Sequence, residues 1–303
     1  MKTITNQRIL LGEDYIEIWV ESFLKERTAQ NLAKGTVEFY RDKLREWVTY
    51  FDSQEIKFIS QINPNNLRDF LILLEERGHN SGGIHAFYRS MKTFLRWYWD
   101  EMDLETKNPI SKVKAPRLTE EPLEGISKED FALLVSQCKR NNFYGERDRA
   151  ILLFLVETGV RASELCSINI EDVNFADSSI LVRQGKGRKP RFVFFGKSCR
   201  KQLRKWLGFR GVDGNALFIN KESERIKYNT LREIMRRLSQ RAGVEEPGLH
   251  DFRRAFCLAC LKKGIPEITI ARLMGHTTTQ LIGRYAKQTT HDLGNAYKSI
   301  LDE

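Results

Sequence analysis

The segment LHDFRRAFCLACLKKGIPEITIARLMGHTTTQLIGRY, residues 249–285, holds two of the five histidines, two adjacent arginines and a tyrosine. Phe252, Phe256 and Ala259 form an apolar face that predicts a helix. His250 and Arg253, three residues apart, lie together near the start of that helix. A guanidinium group binds phosphate oxygens through a planar fork of donors, but it cannot ligate a cation. The pattern therefore favours a phosphate-binding site over a metal site.

A second short helix, EITIARLM, follows the first and is capped by Gly275. His276 comes directly after this glycine, and Tyr285 lies nine residues further along the chain. Taken alone, each residue has an ordinary interpretation, since a single histidine or tyrosine usually has a structural role and rarely a catalytic one. Their combination with the arginine pair is what indicates chemistry on a phosphate.

The net charge of +10 belongs to the second part of the chain. Residues 1–115 contain 17 basic and 17 acidic residues, whereas residues 116–303 contain 33 basic and 23 acidic ones. From Arg183 to Arg210 there are eleven basic residues and no acidic residue, interleaved with aliphatic and aromatic side chains. A folded basic face favours a nucleic-acid partner, with a disordered basic tail as the ordinary alternative.

The composition favours a globular protein of the cytoplasm. The chain has 303 residues, enough for two domains. No apolar stretch approaches the ~18 residues of a membrane span, and the first residues do not resemble a signal peptide. The five cysteines are scattered, which suits a reducing compartment. Cys257 and Cys260 form a CxxC without a second pair of ligands, so we expect buried thiols and no bound metal.

A proline-containing segment joins a helical first part to a basic second part. Residues 13–105 show four helical patterns, and TKNPISKVKAPRLTEEPLEGIS, with three of the seven prolines, predicts an extended linker. The predicted fold class is mainly α with a small β-sheet: an all-helical first domain and a mixed α/β second domain. The predicted limits are 1–107 for the first domain, 108–126 for the linker and 127–303 for the second domain.

Two further candidate residues occur early in the second domain. Gly159 interrupts a helical pattern, and RASELCSI restarts a helix with Arg161 near its N-terminus. SSILVRQ and RFVFF are strand-like and flank GKGRKP, which predicts a hairpin with Lys186 at its tip. The ordinary alternatives are a surface ion pair between Arg161 and Glu164, and a solvated lysine. Helical patterns cover 127–140, 146–157, 197–209 and 228–242.

These motifs resemble those of the tyrosine recombinases, also called the phage integrase family. The matching pieces, in family-like order and spacing, are ETGVRASEL, GKGRKPR, HDFRRAF, LMGH and the RY that ends in Tyr285. AKGTVEFYRDKLREW and GGIHAFYRSMKTFLRWY look like the family's SAM-like core-binding domain, and 118–303 looks like its catalytic domain. Arg254 departs from the pattern, since many relatives carry a histidine there.

The resemblance implies cleavage of a phosphodiester by a protein nucleophile. Tyr285 would attack the phosphorus and form a 3′-phosphotyrosyl link that preserves the bond energy for rejoining. Arg161 and Arg253 would hold the two non-bridging oxygens, in the place of the metal that many nucleases use.

The resemblance implies proton-transfer roles for the remaining residues and no cofactor. His276 would add a hydrogen bond to the phosphate, and His250 would assist proton transfer from Tyr285. Lys186 would protonate the leaving 5′-oxygen. The stored ester energy agrees with the lack of a GxxxxGK[ST] motif for ATP in the sequence.

The implied partner is a double-stranded DNA core site with inverted repeats, on which the chain assembles as a tetramer. After the nucleophile, Leu293, Ala296, Tyr297 and Ile300 predict a short tail helix that packs on its own domain or on a neighbouring protomer. The expected DNA contacts outside the catalytic set are Lys34, Thr36, Arg89, Lys92, Arg188 and Lys189.

Site-specific recombination is the leading hypothesis. The alternatives are a type IB topoisomerase-like enzyme, a catalytically silent DNA-binding regulator, and a metal nuclease, which lacks support from any clustered carboxylate motif. The sequence leaves open whether the reaction integrates and excises a mobile element or resolves chromosomes in the Xer manner.

Overall fold

We describe a computed structural model of the chain. Residues Met1–Glu120 and Glu121–Glu303 form two compact units. The domain limits predicted from the sequence stay a prediction. None of the described helices is both long and apolar enough to cross a membrane. The structure describes residues 14–118, 124–183, 190–211 and 214–275.

The described residues of the first unit form four α-helices, as the sequence predicted. The start of α3 is fixed by Asn63, whose side chain accepts hydrogen bonds from the backbone N–H groups of Asn65 and Asn66. The aromatic side chains of the helices meet in one core; the rings of Trp47 and Phe94, for example, lie 5.5 Å apart. The helices are α1 (Ile16–Ala29), α2 (Lys34–Ser53), α3 (Pro64–Glu76) and α4 (Ser81–Glu101).

The first unit continues beyond its last helix. A 3₁₀ turn at Pro109–Lys112 follows α4, and Pro109, Ile110 and Val113 are buried in the helical core. The hydroxyl group of Tyr88 donates to the carbonyl oxygen of Val113 at 3.1 Å. Part of the segment that the sequence indicates as a linker therefore packs onto the first unit.

The second unit combines helices with a small three-stranded sheet, so the predicted fold class is confirmed. The sheet is antiparallel, in the order β1-β2-β3, with Ile180 opposite Val193. The elements are α5 (Lys128–Ser136), α6 (Phe143–Thr158), α7 (Ala162–Ser167), β1 (Val173–Asn174), β2 (Ser179–Val182), β3 (Arg191–Phe194), α8 (Lys197–Arg210), α9 (Tyr228–Ala242), α10 (Leu249–Lys262) and α11 (Glu267–Met274).

Two details of this unit differ from the sequence prediction. The strand β1 was not expected, because two residues are too few to show a period. The predicted helix 127–140 ends at Ser136, and the next helix begins at Phe143 because Asn142 caps it, accepting hydrogen bonds from the N–H groups of Tyr144 and Gly145.

The core of the second unit lies around α6, and a smaller cluster joins α10 to α11. Leu152, Phe154 and Leu155 of α6 are fully buried in the main core. Cys257 and Cys260 of α10 are buried in the smaller cluster, as predicted for apolar thiols. This smaller cluster fixes the end of α11 beside α10, where the candidate residues lie.

Candidate active site

Arg161 lies immediately before α7 and is held from two sides. Its backbone N–H and its Nη1 donate to the carboxylate of Glu164 at 2.8 and 2.7 Å. Its Nη2 donates to the carbonyl oxygen of Gly275, 114 residues further along the chain, at 3.0 Å. The ion pair with Glu164 exists, but it is not the surface pair of the ordinary alternative, because Glu164 is 2% exposed.

Arg253 of α10 is buried between two backbone carbonyl groups. Its Nη1 donates to the carbonyl oxygen of Gly159 at 2.6 Å, and its Nη2 donates to that of Met274. Gly159 ends α6 with φ +61°, and a Cβ atom there would lie 2.4 Å from Cδ1 of Phe256. A glycine is therefore required at the turn that presents this carbonyl group to Arg253.

The two arginines meet at the end of α11. Arg253 donates to the carbonyl of Met274 and Arg161 to that of Gly275, which are consecutive residues. Arg253 also holds Gly159, two residues before Arg161. The structure thus brings together two guanidinium groups that are 92 positions apart in the sequence, directly before His276.

Glu164 and Arg191 support this arrangement, although neither was among the predicted site residues. The carboxylate of Glu164 accepts hydrogen bonds from Nη1 and Nη2 of Arg191 at 2.9 and 2.8 Å, besides those from Arg161. Burial alone would raise the pKa of Glu164, but the hydrogen bonds from Arg191 and Arg161 lower it. The carboxylate therefore stays charged between the two arginines.

A strand pattern could have revealed Arg191. In RFVFF the side chains of Val193 and Phe195 are buried, whereas Phe192 and Phe194 are exposed. Period-two alternation places Arg191 on the same face as Val193. A charged residue on the buried face of a strand requires a partner, and that requirement is the signal that predicts a buried carboxylate.

His250 lies on the exposed surface of α10, one turn before Arg253. Partial burial lowers the pKa of His250 below its ordinary value, and the positive charges of Arg253, Arg254 and Arg161 lower it further, whereas Asp251 raises it. The neutral imidazole is thus favoured at neutral pH, the form that accepts a proton. Arg254 is ion-paired with Asp251 at 2.9 Å.

Three predicted catalytic residues and two predicted DNA contacts lie outside the described residues. They are Lys186, His276, Tyr285, Arg188 and Lys189. The predicted tail helix also lies there. Their roles stay predictions from the sequence.

The other predicted DNA contacts lie in the first unit. Thr36, Arg89 and Lys92 line one groove of about 800 Å³ between the start of α2 and one face of α4. Lys34 is 92% exposed at the start of α2 and pairs loosely with Glu38, at 3.9 Å. Two further cations, Arg27 and Arg96, line this groove and were not among the predicted DNA contacts.

Comparison with known proteins agrees with this architecture. Residues 125–291 match the pattern described as the phage integrase family, and residues 20–101 match the phage integrase N-terminal SAM-like domain. Tyrosine recombinase XerC of Staphylococcus aureus strain MRSA252 is 25% identical over 283 residues, which cover 91% of this chain and 94% of that protein. The XerC of Staphylococcus carnosus is 26% identical over the same length, covering 91% and 95%.

Solved structures share the fold. The Tn1549 transposon integrase, in complex with a circular intermediate DNA, superposes with a TM-score of 0.76 at 16% identity, covering 94% of this chain and 99% of that one. A lambda integrase dimer bound to a core site gives a TM-score of 0.75 at 14% identity, covering 94% and 82%. On the family patterns matched across both units, the chain belongs to the phage integrase family.

Proposed function

We propose that this protein is a site-specific DNA recombinase that cuts and rejoins duplex DNA through a 3′-phosphotyrosyl intermediate. The observation that carries the proposal is the meeting of Arg161 and Arg253 at two consecutive carbonyl groups, directly before His276. Two fixed guanidinium groups suit the two non-bridging oxygens of one phosphodiester. Relatives named tyrosine recombinase XerC support the same activity.

In the proposed reaction the hydroxyl oxygen of Tyr285 attacks the phosphorus, and the bond from phosphorus to the 5′-oxygen breaks. Neutral His250 assists removal of the phenol proton, and Lys186 gives a proton to the leaving oxygen. Rejoining is the reverse reaction, with a 5′-hydroxyl group attacking the phosphotyrosine. No step consumes a nucleotide, because the phosphotyrosyl ester retains the energy of the bond that was cut.

Arg161 and Arg253 stabilise the charge on the phosphate throughout this reaction. Glu164 neutralises part of the charge of Arg161, and backbone carbonyl groups orient both side chains before DNA arrives. Fixed donors of this kind lower the barrier because they need no reorganisation as the charge develops. His276 adds a further hydrogen bond to the phosphate in this proposal.

The proposed partner is a double-stranded core site with inverted repeats, on which the chain forms a tetramer. The structures of lambda integrase include a dimer on a core site and a tetramer on a Holliday junction, and XerH was solved on a palindromic substrate. The groove lined by Thr36, Arg89 and Lys92 offers cations to the phosphates of this DNA. We place the protein in the cytoplasm, where all five of its cysteines would stay free thiols.

The comparisons do not favour the alternatives. The matched family pattern and the named relatives are integrases and recombinases, rather than topoisomerases or regulators. The chain is similar to XerC proteins in sequence and to a transposon integrase in fold, so the proposal covers chromosome resolution and mobile-element integration alike.

The formation of a covalent adduct tests the proposal. The probe is a nicked duplex in which inverted repeats flank a short spacer. Its sequence is found in the genomic DNA next to the coding sequence, by selecting fragments that bind the full-length protein. The wild-type protein should become attached to this duplex through Tyr285, with peptide mapping as the readout. Tyr285→Phe should bind the duplex equally well and form no adduct, because the nucleophilic oxygen is missing. An adduct that persists in Tyr285→Phe, or one that requires a divalent cation, contradicts the proposal.

A further inference from the structure

Arg191 makes contacts that the proposed cleavage chemistry does not use. It is the first residue of β3, opposite Val182 of β2, and its side chain is only 11% exposed. Its Nη1 and Nη2 donate to the two carboxylate oxygens of Glu164, and its Nε donates to the carbonyl oxygen of Leu273 at 2.9 Å. One planar group therefore ties β3 to α7 and to the last turn of α11.

Each of the three segments leads to a residue of the proposed catalytic set. Arg161 shares the carboxylate of Glu164 with Arg191. The chain leaving α11 reaches His276 directly after its capping glycine. The connection from β2 to β3, which ends at Arg191, contains Lys186. The contacts of Arg191 thus join the chain segments that supply these three residues.

A second route connects Arg191 to Arg161 through Gly275. This glycine has φ +62°, and a Cβ atom there would lie 3.0 Å from Cζ, Nε and Nη1 of Arg191. The carbonyl oxygen of the same glycine accepts the hydrogen bond from Nη2 of Arg161. Arg191 consequently packs against the residue that fixes one nitrogen of Arg161, while Glu164 fixes the other.

The contacts require the geometry of arginine rather than a positive charge alone. Three nitrogens in one plane reach two carboxylate oxygens and a carbonyl oxygen at the same time. A lysine has a single nitrogen, which cannot make the bidentate pair with Glu164 and also hold Leu273.

We infer that Arg191 is a positioning residue, which holds Arg161 and the chain at Gly275 in the geometry that binds the phosphate. It acts through Arg161 and does not itself contact DNA. The inference rests on the proposed recombinase function, because it assigns Arg191 a role in the same reaction.

Single-turnover cleavage of the nicked duplex by the full-length protein tests this role. Arg191→Lys should lower the cleavage rate about 10–100-fold, the range expected when a partner that orients a reacting group is lost. Affinity for the duplex should be unchanged. If Arg191→Lys unfolds at the assay temperature, Arg191→Gln replaces it, with an expected loss at least as large.

A double-mutant cycle separates positioning from a general structural effect. In the Arg161→Ala protein, adding Arg191→Lys should lower cleavage little further, because the interaction that Arg191 supports has already been removed. Arg210 provides the matched control: it is buried, and its guanidinium group donates to the carbonyl oxygens of Gly211, Gly214 and Ala216. Any loss from Arg210→Lys should add to that of Arg161→Ala.

The outcomes distinguish this inference from the proposed function. Wild-type cleavage by Arg191→Lys, or losses that add in the cycle with Arg161→Ala, overturns the positioning role while the recombinase function stands. If the wild-type protein forms no adduct at Tyr285, the proposed function fails, and the inference fails with it.

Discussion

Two buried clusters of the second unit have the same charge composition but different surroundings. The Asp148 cluster consists of Asp148 between Arg147 and Arg237, and the Glu164 cluster consists of Glu164 between Arg161 and Arg191. Each has one carboxylate that is at most 3% exposed and two guanidinium groups. Only the Glu164 cluster lies beside Arg253 at the end of α11.

The two carboxylates respond differently to burial. Burial raises the pKa of Asp148 above its ordinary value, and the charges of Arg147 and Arg237 offset only part of this effect. Burial also disfavours the charged form of Glu164, but its pKa is lowered, because two guanidinium groups and the backbone N–H of Arg161 donate to it. Desolvation therefore outweighs the ion pairs at Asp148, whereas the hydrogen bonds and charges outweigh desolvation at Glu164.

The difference shows why composition alone does not identify an active site. Arg147 is 3% exposed, donates to the carbonyl oxygen of Ile219 and lies over the ring of Tyr144, so its cluster stabilises the fold. Arg161 is 20% exposed and lies with buried Arg253 on neighbouring carbonyl groups. The second arrangement leaves positive charge where a phosphate can approach.

The largest expected effect is on stability, in the Asp148 cluster. Asp148→Asn should lower the free energy of unfolding by about 3–5 kcal/mol, because it leaves buried Arg147 without its counter-charge. Urea unfolding measures this loss. Glu233→Gln, which breaks an exposed pair with Arg236, is the control and should cause no measurable change. A loss in Asp148→Asn no larger than in this control would show that the cluster does not stabilise the fold.

The second effect is on catalysis, in the neighbourhood of the Glu164 cluster. Arg161→Ala and Arg253→Ala should each lower the rate of DNA cleavage by about 10²–10³, because each removes a donor aimed at the charge of the transition state. Single-turnover cleavage, normalised to folded protein, measures the loss. Arg237→Ala, from the Asp148 cluster, is the control and should cleave at the wild-type rate. Equal losses in all three variants would mean that the two clusters do not differ in function.

The smallest effect is on the pH dependence of cleavage. Because the pKa of His250 is lowered, neutral His250 persists below its ordinary range, and activity should be lost as the pH falls through that lowered pKa. Arg254→Gln removes a cation that lowers the pKa of His250, so the acid side of the pH–rate profile should move to higher pH. Asp251→Asn removes an anion that raises the pKa, so this side of the profile should move to lower pH. Rate profiles from pH 5 to 8 that shift in the same direction for both variants would contradict the role of His250.

Local patterns predicted most of the helices correctly. The pattern at 228–242 coincides with α9, and the break at Gly159 is a left-handed cap, because both depend on neighbouring residues. The strand β1 was not predicted, because its two residues are extended only through their pairing with β2. The first residue of a helix is also set by a capping side chain such as that of Asn142, whose hydrogen bonds can start the helix before the apolar pattern begins.

The candidate site was predicted in part. The sequence identified Arg161, His250 and Arg253 through their motifs, and the structure places Arg161 and Arg253 at one end of α11. It did not identify Glu164 as a shared acceptor or Arg191 as its second donor. Arg191 lies 27 residues from Glu164, and no period of the sequence connects the two.

The sequence by itself determined the helical first unit, the excess of positive charge after residue 115 and the order of the proposed catalytic residues. These properties depend on composition, on the order of residues along the chain and on spacings within single helices, all of which the chain carries whether or not it is folded. Only the tertiary structure decided that Arg253 binds the carbonyl of Gly159, 94 residues away, and that Arg161 binds that of Gly275. The physical reason is that burial removes water from these guanidinium groups, so each must find acceptors wherever the packed helices present them.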